Sequence, residues 1–171
     1  MIFEKVYKLV DQLKDSLSKI DDGDFALPLD VFEGATLGQH TRHVVEHFQC
    51  LIMSQQTRHI NYDDRKRSFV LETNIAMCCD ALDQIKEQVR SDDVEVEVVQ
   101  DFLKESAASH VIRSSYFREV LYNVDHLVHH QAILKIGFIQ LNPHIHISKH
   151  YGYADATIKH KTNVHTELPS S

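Results

Sequence analysis

The chain has 171 residues, with 18 Lys and Arg against 25 Asp and Glu, a formal net charge of −7 and 43% hydrophobic residues. A chain of this length buries roughly 70% of its unfolded surface in one domain, which excludes a disulfide-stapled scaffold and an intrinsically disordered chain. The acidic balance, with Lys and Arg scattered, argues against a nucleic-acid binder, because neutralising phosphates takes a basic stripe.

The first segment carries Ile2, Val6, Leu9, Val10, Leu13, Leu17 and Ile20 at intervals of three and four, which places them on one face of a helix. Its opening, MIFEKVYKLVDQLKDSL, has charges where a signal peptide needs an apolar run, and no 18-residue apolar stretch follows anywhere. The expectation is a cytoplasmic protein without a membrane span. Residues 21–35 hold Asp, Gly and Pro and read as a loop that returns Phe25, Leu29 and Phe32 to the core.

Thr36 followed by Gln39 fits a capping box and starts a second helix that runs to about Gln56 and buries Leu37, Val44, Phe48 and Leu51. HINYDDRKRS reads as a polar loop. A third helix starts near Thr73 or Asn74 and turns Ile75, Cys78, Cys79, Leu82, Ile85 and Val89 inward. Val94, Val96 and Val98 then alternate with Glu95 and Glu97, a strand pattern, and ASHVIRS reads as the returning strand of a small hairpin. Ser114 or Ser115 caps a last long helix through Val120, Val124, Leu127 and Leu134, stopped by Asn142 and Pro143. The fold class expected is all-α, four long helices in one domain over residues 1–160, with 161–171 as a disordered tail. The tail's SKHYGYADATIKHK segment is expected to tuck Ile145, Ile147 and Tyr153 onto the core; the alternative sets His144, His146, His150 and Tyr151 near the functional site.

Cys50, Cys78 and Cys79 form no CxxC pattern and read as small core residues. Histidine is the outlying residue, at 13 of 171. Roughly one His pair at i, i+4 is expected by chance at that frequency, and three occur, at 43/47, 126/130 and 146/150. His40, His43 and His47 share the second helix, and His126, His129 and His130 the last. His126 and His130 project from one face about 6 Å apart and can grip one ion from two sides. Imidazole suits zinc, nickel, copper or iron, and does not suit magnesium or calcium. The other helix offers His40, His43 and His47, of which His40 and His47 lie nearer its apolar centre. Glu46, Asp125 and Glu119 are the acids within reach as outer partners of ligating histidines. Tyr62, Arg65 and Arg67 in the polar loop are candidates to hold an anionic substrate.

On two stretches, GATLGQHTRHVVEHF and NVDHLVHHQAILKIG, the sequence resembles the DinB-like family of four-helix-bundle metalloproteins. In that family a capping Ser or Thr precedes the first metal histidine by seven residues, and here Thr36 leads to His43; the HxxxH pair carries over to His126 and His130. Helix order, the hairpin before the last helix and the overall length extend the resemblance over nearly the whole chain. It implies an up-down four-helix bundle holding one divalent ion, nickel, zinc or iron, on His43, His126 and His130, frequently in a homodimer. Some members resemble thiol S-transferases, so the implied chemistry is activation of a thiol or water for a small-molecule substrate; the alternative is a non-catalytic bundle with a structural metal, closed by His40 or His47. Where many members have Arg and Gly after the second HxxxH histidine, this chain has Gln131 and Ala132, so no particular catalytic subgroup carries over.

Overall fold

The computed structural model describes residues 2–100 and 110–166. Four long helices carry the core: α1 (Ile2–Leu17), α3 (Leu37–Thr57), α5 (Ile75–Gln88) and α6 (Tyr116–Leu141). Short helices α2 (Asp22–Phe25) and α4 (Phe69–Thr73) and a 3-10 turn (Asp30–Phe32) lie in the connections, and α7 (Asp155–Thr166) follows the last long helix. Around the core the packed pairs are α1 with α5, α5 with α3, α3 with α6 and α6 with α1. The seam consists of residues whose spacing left no other option: Leu9, Val10 and Leu13 of α1, Val44, Phe48 and Leu51 of α3, Leu82 and Ile85 of α5, and Val120, Leu127 and Leu134 of α6 are all buried.

The molecule is mostly helical, but the all-α expectation needs correction, because a three-stranded sheet in the order β1 (His59–Asn61), β2 (Glu95–Gln100), β3 (His110–Ser115) closes one end. β2 and β3 form the expected antiparallel pair, with Val96 opposite Ser114 and Val98 opposite Ile112, and both valines are buried. The third strand falls inside HINYDDRKRS, read from the sequence as loop throughout. Ile60 is buried there, opposite Val98 in a parallel register. Three residues are too few to show a period of two, and a parallel partner nearly forty residues away leaves no local sign.

Local chemistry accounts for the helix limits. Thr36 caps α3 with its hydroxyl, which accepts from the Gln39 amide at 2.9 Å, while the Gln39 side chain accepts from the Thr36 amide at 3.3 Å. Helix α1 stops at Leu17, short of Ile20, because 3-10-type bonds from Lys19 to Ser16 and from Ile20 to Leu17 tighten its end ahead of the Asp-Asp-Gly run. Asn74 separates α4, unexpected from the sequence, from α5, and caps the latter by accepting from the Met77 amide at 2.9 Å. Gly137 is needed where it stands: a Cβ there would lie 2.4 Å from the Phe32 ring, so its absence lets the 3-10 turn press onto α6.

After α6 the chain folds back along α1. Ile145 and Ile147 pack on the core, as the sequence reading expected. The position assigned to Tyr153 belongs instead to Tyr151, which is fully buried and reaches the Ser16 hydroxyl at 3.0 Å; Tyr153 is half-buried beneath Lys135 and Lys161. Helix α7 extends through 161–166 of the segment read as a tail, and 167–171 lie outside the described residues. Of the cysteines, Cys78 is buried, Cys50 and Cys79 are half-buried, and all three are free thiols. No helix among the described residues is long and apolar enough to cross a membrane.

Candidate metal centre

Helices α3 and α6 face each other along a column of aromatic rings. His40 meets His130 (centroids 5.4 Å apart), His43 meets His130 (4.8 Å) and His126 (4.9 Å), and His47 meets His126 (4.3 Å) and Tyr122 (6.4 Å). Contact positions rise along α3 as they fall along α6, so the two helices run antiparallel here. Spacings of three and four residues on α3 and of four on α6 hold the imidazoles on the facing stripes.

Among the described residues, His43, His126 and His130 form a group whose potential ligand atoms all lie within 4.8 Å of one another. A tetrahedral ion with bonds of about 2.0–2.1 Å separates its nitrogen ligands by about 3.4 Å, so modest rotation of the rings closes the three around one ion. His126 Nε2 is buried and has no hydrogen-bond partner, the condition of a nitrogen whose lone pair is left for something else. His130 Nδ1 lies 3.3 Å from His40 Nδ1, so Nε2 is its nitrogen without that partner.

Burial is the main reason the column's five imidazoles, His40, His43, His47, His126 and His130, lose proton affinity. It holds His43 and His126 down to about 4 from the ordinary 6.5, and His47 and His130 down to about 2. Neighbouring imidazoles and the Arg65 guanidinium add to the effect. His40 shifts in the same direction, through burial and then His129. The rings are therefore neutral at pH 7, the form in which imidazole binds metal.

The outer residues sort differently from the sequence reading. None of the three acids hydrogen-bonds a ring of the column. Glu46 is buried but accepts from the Ser68 amide at 2.7 Å and faces Arg42, and Asp125 is exposed. Both carboxylate oxygens of Glu119 are taken, one by the Tyr62 hydroxyl at 3.0 Å and the other by the Ser114 hydroxyl at 2.6 Å. Tyr62 in turn stacks on His47 at 4.8 Å with an interplanar angle of 9°. Glu119 thus acts on the column one residue removed, by fixing Tyr62.

Arg65 donates to His47 Nε2 at 3.1 Å and to the Tyr62 carbonyl. Arg67 turns away and donates to the carbonyls of Arg65 and Asp63, so it ties the loop and does not reach the imidazoles. Asn123, which donates to the Tyr62 hydroxyl at 2.9 Å, had no role in the sequence reading; a polar residue four positions after Glu119 on the inward face was its only signal. The tail histidines His144, His146 and His150 make no hydrogen bond or ring contact with the column among the described residues; Lys19 binds the His146 carbonyl and His150 leans on Tyr153. A groove of about 700 Å³ between α3, α5 and β1 shares Arg65 and Glu46 with this region, but none of the three imidazoles lines it. Donor chemistry, and not cavity volume, defines the candidate site.

Comparison with protein-family models, with curated proteins and with solved structures finds no match to this chain.

Proposed function

We propose that the chain is a DinB-like four-helix metalloprotein that holds one divalent transition metal, nickel, zinc or iron, through His43, His126 and His130. The observation that carries this reading is the convergence of three neutral imidazoles from two facing helices to within 4.8 Å. The second nitrogen of His130 has a partner in His40, as ligating histidines require to fix their tautomer. The donor set is all nitrogen, which favours these metals over magnesium or calcium.

When bound, such an ion supplies Lewis acidity that lowers the pKa of a water or thiol beside it. The chain's own residues do the rest. His40 orients His130, Tyr62 packs on His47, and Arg65 places a permanent positive charge next to the imidazoles, so an anionic small molecule is favoured there. The enzymatic reading, a thiol transferase or hydrolase, rests on His40 and His47 lying outside the converging group, which leaves part of the ion's shell open. A saturated structural ion is the competing reading.

Elemental analysis of untagged protein tests the site. About one nickel, zinc or iron per chain is expected, with loss of binding in the His126→Ala/His130→Ala double variant. Full metal content in that variant rejects the assignment. Changes in the visible spectrum of cobalt-loaded protein on adding imidazole or a thiol separate an open shell from a saturated one.

A further inference from the structure

His47 sits in the column without belonging to the converging group, and its surroundings specify its proton. Arginine has donors only and keeps its charge, so the 3.1 Å contact from Arg65 obliges His47 Nε2 to be the accepting lone pair. A neutral imidazole with Nε2 bare carries its hydrogen on Nδ1. That nitrogen is buried and has no hydrogen-bond partner. The ring cannot easily turn to find one: it stacks on Tyr62 at 4.8 Å and on His126 at 4.3 Å, and lies 4.4 Å from His43. Tyr62 is itself fixed through Glu119 and Asn123, and Arg65 through the Tyr62 carbonyl.

We propose that His47 is a positioning donor and not a ligand, held by Arg65 as the Nδ1–H tautomer so that this N–H receives a small anion, a thiolate or carboxylate, beside His43 and His126. The proposal rests on the metal reading for the anion's second partner, but the tautomer assignment stands apart from it. Two features favour an anion. Among the described residues no carboxylate hydrogen-bonds the imidazoles of the column, and Arg65 keeps its positive charge against His47. A buried N–H with no protein acceptor is, moreover, a donor set in place before its ligand arrives. Had His47 faced a carboxylate instead of Arg65, its Nδ1 would have been free to act as a metal ligand.

Two measurements on the full chain test this. Nitrogen-15 NMR of the metal-free protein at pH 7.5 should show His47 with Nδ1 protonated and Nε2 bare, the reverse of the tautomer preferred by free histidine, and Arg65→Met should release that preference. Azide titrated into cobalt-loaded protein should bind roughly 10-fold more weakly in His47→Phe, the loss of about one hydrogen bond to a charged group, with one cobalt per chain retained. An Nε2-protonated His47 in the wild type overturns the proposal without any variant. Loss of cobalt in a folded His47→Phe protein makes His47 a ligand and also overturns it, leaving the metal reading intact. Failure of the wild type to take up cobalt overturns the metal reading and the anion site with it, whatever the tautomer.

Discussion

The Nδ1 atoms of His40 and His130 lie 3.3 Å apart, so one imidazole serves as the other's hydrogen-bond partner where a carboxylate is the commoner choice. A neutral acceptor orients the donor ring but adds less electron density to it than a carboxylate does. Were His130 to ligate an ion through Nε2, its Nδ1–H would donate and His40 would accept. The Phe32 ring, edge-on to His40 at 4.7 Å, holds that acceptor in place.

Removing the acceptor should therefore weaken the site without abolishing it. His40→Ala is expected to keep about one metal per chain and to lose about 10–100-fold in affinity, against complete loss for His130→Ala. Competition with a chromophoric chelator measures both. Unchanged affinity in His40→Ala would make the 3.3 Å contact incidental.

Acid should destabilise the metal-free protein through the column. His43 and His126 bind protons near pH 4 when folded and near 6.5 when unfolded. Between those values the unfolded chain binds more protons, so stability is complete above about 6.5 and falls as the pH drops toward 4. Urea midpoints at pH 7.5 and pH 5.0 should differ in that sense, and the double variant His43→Asn/His126→Asn should narrow the difference. A wild-type midpoint that does not move across this range contradicts the buried, neutral state of the rings.

Gly137 couples the same column to the loop before α3. A methyl group there meets the Phe32 ring at 2.4 Å and Leu37 at 2.9 Å. Gly137→Ala must move Phe32 and with it the support of His40. Overpacking of this kind costs about 1–3 kcal/mol, read as a lower urea midpoint. The same variant should show weakened metal affinity, which a purely global destabilisation would not produce under native conditions.

How much of this was legible in the sequence depends on how local the cause was. The Thr36 to Gln39 cap, the inward stripe of α6 and the paired valines of β2 are set within a few residues, and period and cap chemistry expose them. Strand β1 depends on a partner at residues 97–99, and helix α7 is mostly exposed, so neither has an apolar period to read. At the site, three- and four-residue spacing placed the histidines on facing stripes. It did not assign the outer partners, because helix position gives a side chain's face and not the group it ends on. Glu46 is three residues from His43 yet turns to Ser68 and Arg42, and Asp125, adjacent to His126, is rotated about 100° away into solvent. Arg65 and Arg67 looked equivalent in the loop; only the folded loop sends one to His47 and the other to its own carbonyls.

Tyr62 separates two functions that one side chain performs. Its hydroxyl donates to Glu119 at 3.0 Å and accepts from Asn123 at 2.9 Å, all three side chains being buried, while its ring supports His47 and its carbonyl holds Arg65. Tyr62→Phe removes only the hydroxyl. Glu119 keeps Ser114, and Asn123 keeps the Glu119 carbonyl at 2.9 Å, but each loses one buried partner, an expected cost of about 1–3 kcal/mol in the urea midpoint. Because ring and backbone remain, the His47 tautomer and the metal stoichiometry should not change. Tyr62→Ala removes the stacking face as well, so it should lower stability further and also loosen His47, read as loss of the Nδ1-protonated preference in its nitrogen-15 shifts. A Tyr62→Phe protein as stable as wild type would show that the hydroxyl network adds nothing. A Tyr62→Phe protein with an altered His47 tautomer would place the control of that ring in the Glu119 network, not in Arg65.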